Sequence, residues 1–319
     1  MNLQGKNVVV TGGAGFIGSE LTRQLLKEKA NVVVLDNLLA GRKENLEEVN
    51  GEITFIEKDI RGADLGEAFR EHDAEYVFNL AAEPFIPDSY ERPHRFMEIN
   101  TFGALNVLMA AKKADVERVL HYSTSEVYGT ARTVPMNEEH VTLPLSTYAV
   151  SKLAADRLCF TLHHEQGIPV IILRQFNVYG PRETHPYIIP ILIEQLSKTN
   201  RVKLGNIKAT RDFTFVSDAA EAAVLLMKTD KAVGEVVNSG SGMEVSVEQM
   251  ANKIGELMNH KKVEISVEQK RLRPLDVKRL YCDNTKIRKL TGWQPRVSFE
   301  EGLKKTITDF EERGRKWPF

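Results

Sequence analysis

The stretch Asn7-Val8-Val9-Val10-Thr11-Gly12-Gly13-Ala14-Gly15-Phe16-Ile17-Gly18 lies near the beginning of this 319-residue chain. A short apolar run leads into glycines at every third position, and residues 19–29 then carry helical periodicity. This pattern predicts a strand, a tight turn and a helix. Glycines in such a turn let backbone N–H groups approach a pyrophosphate, and the helix amino terminus adds partial positive charge. The stretch indicates a dinucleotide site, although a purely structural turn would have the same glycines.

Further apolar runs continue the alternation of strand and helix. The runs cover residues 32–35, 53–56, 76–80, 118–122 and 170–174. Helix-like stretches at about 91–114 and 147–166 separate the later runs. This alternation predicts an α/β fold, a Rossmann doubly wound parallel sheet covered by helices on both faces. We expect the dinucleotide-binding domain and catalytic residues in 1–176. A smaller α/β region for substrate, in 177–319, would be interleaved with that core and end in an amphipathic helix at 299–313.

Composition narrows the class of protein. Lys and Arg total 43 against 44 Asp and Glu, so a formal net charge of −1 gives no electrostatic argument for a nucleic-acid or membrane partner. Cys159 and Cys282 fit no metal-ligand spacing and no disulfide framework, so we expect buried fillers, no metal and a reducing cytoplasm. The first residues lack the pattern of a signal peptide, and no apolar stretch approaches the roughly 20 residues that a bilayer requires.

An acidic residue supports the dinucleotide interpretation. Asp36 closes the second apolar run about 20 residues after the glycine turn, where a carboxylate accepts hydrogen bonds from the adenosine ribose. Asn37 follows at a position where a binder of the 2′-phosphate would carry Arg. The pair therefore favours NAD over NADP.

Two residues indicate proton transfer. Tyr148 and Lys152 are four residues apart, so in a helix the phenol and the ammonium share one face. There the cation is expected to lower the pKa of the phenol and make it usable as a base. The segment Thr124-Ser125-Glu126 follows the fifth apolar run, at the edge of the sheet where a substrate would lie over the nicotinamide.

Together these motifs resemble the extended short-chain dehydrogenase/reductase family, the NAD-dependent sugar-nucleotide epimerases and dehydratases, over nearly the whole chain. The resemblance implies that NAD stays bound through turnover and that the protein forms a homodimer through a four-helix bundle. It assigns these residues to the cofactor: Gly12, Gly15, Phe16, Ile17, Gly18, Asp36, Asn37, Asp59, Ile60, Leu80, Ala81, Ala82, Tyr148 and Lys152.

The same resemblance implies catalytic roles. Thr124 would bond the sugar 4-hydroxyl, Tyr148 would remove its proton while hydride leaves C4, and Lys152 would bond the nicotinamide ribose. Glu126 would then take the acidified proton from C5 as water leaves C6, which defines a 4,6-dehydratase. Thr-Ser-Glu is similar to the GDP-mannose dehydratases, whereas dTDP-glucose dehydratases have Asp at the position of Ser125. Acid catalysis at C6 would then fall to Glu126 or to water. We expect a role in cell-surface glycan synthesis.

Three alternatives stay open. Sugar 4-epimerases resemble the same segment but generally lack the acid at position 126. UDP-glucuronate decarboxylases share Thr-Ser-Glu but need a cation aimed at the C6 carboxylate, and the sequence alone places none there. A more distant alternative is a non-catalytic dinucleotide-sensing regulator, although such proteins usually lose the Tyr or the Lys that this chain keeps.

Residues later in the chain indicate a nucleotide-diphosphate sugar as substrate. Asn177, Arg211 and Arg273 match family segments that contact the sugar diphosphate, and guanidinium groups form bidentate bonds to phosphate. Residues 204–206 fall where the family passes its nucleobase, but they do not identify the base. The histidines at 140 and 185 are expected to be incidental, and Trp293 is expected to pack in the core.

Overall fold

A seven-stranded parallel sheet forms the centre of the computed structural model, which describes residues 1–315 and 317. The strands, in chain order, are β1 (Asn7–Thr11), β2 (Asn31–Asp36), β3 (Ile53–Glu57), β4 (Tyr76–Asn79), β5 (Arg118–Thr124), β6 (Val170–Gln175), β7 (Asn177–Tyr179), β8 (Arg201–Leu204), β9 (Thr210–Phe215), β10 (Val236–Ser239), β11 (Glu244–Ser246) and β12 (Glu264–Val267). The large sheet has the order β10-β6-β5-β4-β1-β2-β3. Strand order reverses beside β1, and ligands of such sheets bind at the carboxyl ends of the strands near this reversal.

Helices cover both faces of this sheet and build the region after β6. In chain order they are α1 (Phe16–Lys27), α2 (Leu65–Glu71), α3 (Ile86–Glu91), α4 (Pro93–Phe96), α5 (Ala104–Lys113), α6 (Thr147–Gln166), α7 (Ile188–Leu196), α8 (Val216–Met227), α9 (Val247–Leu257), α10 (Thr285–Thr291) and α11 (Phe299–Glu312). The prediction for 147–166 is confirmed by α6, whose capping residue Ser146 accepts a hydrogen bond from the Ala149 N–H.

The single helix expected at 91–114 is wrong in detail. Helix α3 ends at Glu91, Pro93 begins α4, and a π-helical stretch, Met97–Gly103, precedes α5. Proline has no backbone N–H and disfavours the helical conformation of the preceding residue, which explains the break. Hydrophobic periodicity does not register such interruptions.

Alternating side chains of β1 divide the core between the two faces of the sheet. Val8 and Val10 pack in one buried cluster with Leu21 of α1, and Val9 packs in the opposite cluster with Val107 of α5. A third cluster fills the region built from β7, β9, α7, α9 and α11. Period-two alternation with apolar residues on both faces is what a sheet covered on both sides requires.

The second half of the chain is interleaved with the first. Strand β10 pairs in parallel with β6 and extends the large sheet, while β7 and β11 flank β9 in a separate three-stranded sheet. Cys159 and Cys282 are buried free thiols, and Trp293 is buried with its indole N–H donating to the Asp218 carbonyl, which confirms the packing roles expected for them. Within residues 1–315 and 317, no helix combines the length and apolar character needed to cross a membrane.

Candidate active site

A cavity of about 930 Å³ opens at the carboxyl ends of the central strands. Its wall contains every residue that the sequence assigned to cofactor, catalysis or substrate, together with residues 204–206. The loop after β1, the end of β5 and the start of α6 meet here because parallel strands end at the same edge of the sheet. The structure thus brings the predicted residues together, while their individual roles remain predictions.

The glycine turn can accept a dinucleotide because side chains are excluded from it. A Cβ atom on Gly18 would lie 2.1 Å from the Gly12 carbonyl oxygen, and one on Gly12 would lie 2.8 Å from the Ala81 nitrogen. Gly12 also has a φ of +72°, a conformation that other residues rarely adopt. Gly15 then caps α1, whose first N–H groups face the cavity edge. This cradle suits a diphosphate at a helix amino terminus.

Acidic residues lie at the adenosine end expected for the cofactor. The Asp36 carboxylate accepts hydrogen bonds from the N–H groups of Ala14 (3.0 Å) and Leu38 (2.8 Å), and burial raises its pKa. Asn37 donates to Asp59 at 2.8 Å, and the Arg61 guanidinium lowers the pKa of Asp59 to about 2. These bonds fix the loop after β2 against the glycine turn, so the residues that would bind an adenosine are held in place before any ligand enters.

Tyr148 and Lys152 lie on one face of α6 at the cavity, but their electrostatics differ from the sequence expectation. Burial raises the pKa of Tyr148 to about 12, and the nearby Glu126 carboxylate adds to the rise, while a hydrogen bond with Thr124 opposes it. Lys152 donates instead to the Tyr122 carbonyl, and burial lowers its pKa to about 8. The expected lowering of the Tyr148 pKa by Lys152 is therefore wrong for this structure, because desolvation of the phenol is the larger effect.

A hydrogen bond within the segment stabilises the Thr124–Glu126 turn. The Thr124 hydroxyl accepts a hydrogen bond from the Glu126 N–H at 3.2 Å, which starts a 3₁₀ turn directly after β5. Glu126 is 8% exposed, and its charge opposes the lowering of the Arg211 pKa that burial causes. A carboxylate and a buried guanidinium thus face the same part of the cavity. The sequence alone placed no cation that could face the C6 carboxylate of a uronate.

The expected substrate groups also line the cavity. Arg211 is buried and 3.7 Å from the Asp276 carboxylate, whereas Arg273 is exposed on the cavity wall. The buried Asn177 side-chain oxygen has no hydrogen-bond partner among the described residues. A buried amide oxygen is costly to leave unpaired, so this group is suited to a ligand donor.

Sequence reasoning missed one segment of the wall. Residues 183–187 all line the cavity, and the His185 ring stacks on Phe85 with centroids 5.7 Å apart. His185 is therefore part of the site wall rather than incidental, and burial lowers its pKa to about 4. Burial also raises the pKa of Tyr187 well above its ordinary value, and Tyr148 and Arg273 lie within electrostatic reach of it. The only indication in the sequence was that residues 183–187 directly follow Gly180-Pro181-Arg182.

Known proteins share this architecture over their full length. Residues 9–306 match the family model described as GDP-mannose 4,6 dehydratase. A UDP-N-acetyl-alpha-D-glucosaminuronate decarboxylase from Bacillus cytotoxicus is 36% identical, with 96% of this chain and 98% of the relative covered.

Two similar solved structures are those of enzymes with different activities. DesIV, a dTDP-glucose 4,6-dehydratase from Streptomyces venezuelae with NAD and TYD bound, has a TM-score of 0.90 at 30% identity and covers 98% of this chain and 99% of its own. A UDP-glucose 4-epimerase with UDP-glucose from Thermotoga maritima has a TM-score of 0.89 at 33% identity and covers 96% and 99%. Similar proteins thus include a dehydratase, an epimerase and a decarboxylase.

Proposed function

We propose that this chain, which belongs to the extended short-chain dehydrogenase/reductase family of NAD-dependent sugar-nucleotide epimerases and dehydratases, is a nucleotide-sugar 4,6-dehydratase. The observation that carries the proposal is the position of Glu126. Its carboxylate lies in the same cavity wall as Tyr148 and within electrostatic reach of that phenol. A reaction that only oxidises and reduces C4 has no use for a second base at that point, whereas elimination across C5 and C6 requires one.

The cofactor of this family is NAD, and the glycine turn, Asp36 and the Asn37–Asp59 pair are the groups that would hold it. Bound NAD supplies reversible hydride acceptance. Tyr148 would accept the proton of the 4-hydroxyl, and the Thr124 hydroxyl would orient both oxygens. Because burial holds the Tyr148 pKa near 12, phenolate formation at neutral pH needs added positive charge. Lys152, one helical turn further along α6 on the same cavity wall, would supply it with cofactor and substrate bound, although it does not lower this pKa in the structure itself.

Glu126 would carry the second half of the reaction. With C4 oxidised, the hydrogen on C5 is acidic, and the Glu126 carboxylate would remove it as the C6 hydroxyl leaves as water. If water protonates the leaving oxygen, Glu126 keeps the C5 proton and would return it after hydride reaches C6. If Glu126 passes that proton to the leaving oxygen, it would take a new one from solvent before it protonates C5. Ser125, which is 2% exposed and lines the cavity, can donate a hydrogen bond to the leaving oxygen but is no acid. We therefore assign protonation of the leaving group to Glu126 or to water.

We propose that the protein binds its substrate through a nucleotide diphosphate. Arg211 and Arg273 offer guanidinium donors along one side of the cavity, and the unpaired Asn177 oxygen offers an acceptor for a hydroxyl or amine donor. The sugar would then extend from these groups toward Tyr148. We place the enzyme in the cytoplasm, where nucleotide sugars for surface glycans would be made.

The proposed assembly is a homodimer through the outer faces of two helical segments. Large apolar side chains are exposed there: Phe102 (58%) and Met109 (42%) on the π-helical stretch and α5, and Val150 (44%) and Phe160 (38%) on α6. The two segments pack side by side, so a second copy would complete a bundle of four helices. Burying these groups would remove apolar surface that a monomer leaves in water.

Incubation of the purified protein with UDP-, GDP- and dTDP-hexoses, followed by mass spectrometry, tests the proposal. The expected product is 18 Da lighter, a 4-keto-6-deoxy sugar nucleotide. Glu126→Gln is expected to abolish water loss while exchange of the C4 hydrogen persists, with Glu139→Gln, an exposed glutamate outside the cavity, as the control. Formation of the C4 epimer alone by the wild type would refute the dehydratase assignment.

A decarboxylase is the second candidate, and Arg211 is the observation that favours it. A buried guanidinium within electrostatic reach of Glu126 provides the cation that loss of a C6 carboxylate requires. UDP-glucuronate and its N-acetylated analogue therefore belong in the substrate panel. Release of CO₂ from either, with no water loss from the neutral hexoses, would select this reaction instead.

A further inference from the structure

The segment 182–187, here named the strap, connects β7 to α7 along the cavity wall. At its beginning, the Arg182 guanidinium pairs with Glu20 of α1, and the Arg182 N–H donates to the Asp309 carboxylate of α11 at 3.2 Å. At its end, the His185 ring stacks on Phe85, which belongs to the loop after β4. Residues 183–187, which follow Arg182, line the cavity.

Glu183 is the unusual residue of the strap. It is 1% exposed, one of its carboxyl oxygens accepts a hydrogen bond from the Gly180 N–H, and its Oε2 has no partner among the described residues. A buried carboxyl oxygen without a partner destabilises the folded protein, and a hydrogen bond to a ligand would offset that cost.

The strap begins beside the diphosphate end of the expected cofactor site. Arg182 contacts Glu20, which lies one turn beyond Phe16 and Ile17 at the start of α1. Those two residues belong to the same apolar cluster as Tyr179 and Ile188, which flank the strap on either side. Glu183 therefore lines the same cavity as the helix amino terminus where the dinucleotide diphosphate would bind.

We propose that the strap retains NAD and that the free Oε2 of Glu183 is its ligand-facing group, hydrogen-bonded to a diphosphate oxygen of the cofactor. The inference rests on NAD as the cofactor and is independent of the sugar chemistry proposed above. A carboxyl group can donate to phosphate only when it is protonated. Burial raises the pKa of Glu183 well above its ordinary value, the neighbouring Asp309 carboxylate adds to the rise, and the Gly180 N–H opposes it. Ionised, the same group would repel the diphosphate.

Release of NAD measures the contact directly. Wild type, Glu183→Gln and Glu183→Leu are loaded with NAD and diluted without sugar nucleotide, and the NAD still bound is followed by chromatography. Loss of the hydrogen bond in Glu183→Leu is expected to speed release about tenfold, equivalent to about 1.4 kcal/mol. Glu183→Gln keeps an N–H donor and is expected to release NAD at nearly the wild-type rate at pH 7. The control is Glu138→Gln, another glutamate whose pKa burial raises but which lies outside this cavity.

The pH dependence provides a second test that needs no folded leucine variant. Release from wild type is expected to accelerate as the pH rises and Glu183 ionises, and Glu183→Gln should lack that acceleration. Two other titratable groups lie nearby: Tyr187, which interacts electrostatically with Glu183, and Lys152, whose pKa is about 8. Both are present in wild type and in Glu183→Gln, so their effects on release cancel when the two proteins are compared. Identical pH dependence in the two proteins would overturn the proposal.

Two further outcomes would also overturn it. The first is release from a folded Glu183→Leu protein as slow as from wild type. The second is unchanged NAD release with a raised KM for the sugar nucleotide, which would place Glu183 on the substrate diphosphate instead.

Discussion

Replacing Asp156 by Asn should destabilise α6, the helix that carries the proposed catalytic pair Tyr148 and Lys152. Asp156 lies on α6 one turn beyond Lys152 and is fully buried. Its carboxylate accepts two hydrogen bonds from the Arg174 guanidinium of β6, at 2.9 and 3.0 Å, and one from the Ser123 hydroxyl of β5, at 2.9 Å. The pair thus ties α6 to β6 and, through Ser123, to β5, which ends at the Thr124–Glu126 turn. Arg174 also lies over the Tyr128 ring, 5.0 Å from its centroid.

The size of the effect follows from burial. The side chains of Arg174 and Asp156 are 3% and 0% exposed, so neither charge can be hydrated if its partner is lost. Breaking a buried pair by removing one charge costs about 3–5 kcal/mol, because it leaves the other charge uncompensated. Typical domains are stable by only about 5–15 kcal/mol. Asp156→Asn should therefore remove a large fraction of the free energy of unfolding, and kcat should fall as α6 loosens.

Urea unfolding followed by circular dichroism measures the change. The matched control is Glu194→Gln, which breaks the exposed pair of Glu194 with Lys198 and should cost about 0.5 kcal/mol or less. The double variant Asp156→Leu with Arg174→Met removes both charges together and should be more stable than Asp156→Asn. A loss below about 1 kcal/mol in Asp156→Asn, or a double variant less stable than the single one, would refute the reasoning.

Three further outcomes are expected. Gly18→Ala should abolish NAD binding, measured by isothermal calorimetry, because its Cβ would lie 2.1 Å from the Gly12 carbonyl oxygen; normal affinity would contradict this. If the charged form of Lys152 supports catalysis, kcat should fall as the pH rises through its pKa of about 8, and a flat profile from pH 7 to 9 would exclude that role. Phe102→Asp should shift a homodimer toward monomer in analytical ultracentrifugation, since it charges a side chain that is 58% exposed on the proposed interface. An unchanged sedimentation coefficient would place the interface elsewhere, and Val134→Asp, outside that face, serves as its control.

The parts of the fold that could be predicted are those encoded by neighbours in sequence. The glycine turn, the helix at 147–166 and the first six strands follow local rules of period, capping and backbone freedom. Strand β10 was not predicted as part of the large sheet, because a run of four residues carries no information about pairing with β6. Pairing between distant segments depends on the whole fold rather than on a local pattern.

The same limit applies within the site. Motif spacing brought Tyr148, Lys152 and Glu126 to one cavity, but the pKa of Tyr148 depends on how much protein covers it, which spacing does not encode. The sequence did not identify Glu183 as a site residue, because a glutamate after a Gly-Pro-Arg segment belongs to no recognisable pattern. Its significance comes only from burial and from an oxygen left without a partner.

In the proposed reactions, the product depends on which charged groups lie near C6 of the sugar. Thr124, Tyr148 and Lys152 can serve any reaction that begins by oxidising C4, so they do not distinguish the family's reactions. Glu126 and Arg211 lie within electrostatic reach of each other, and they favour different substituents at C6. A hydroxymethyl group needs the base and gains little from the cation, whereas a carboxylate is repelled by Glu126 and attracted by Arg211. Arg211→Met should therefore weaken binding of a uronate, and Glu126→Gln should strengthen it. A larger loss of neutral-hexose turnover in Glu126→Gln than in Arg211→Met would identify the dehydratase.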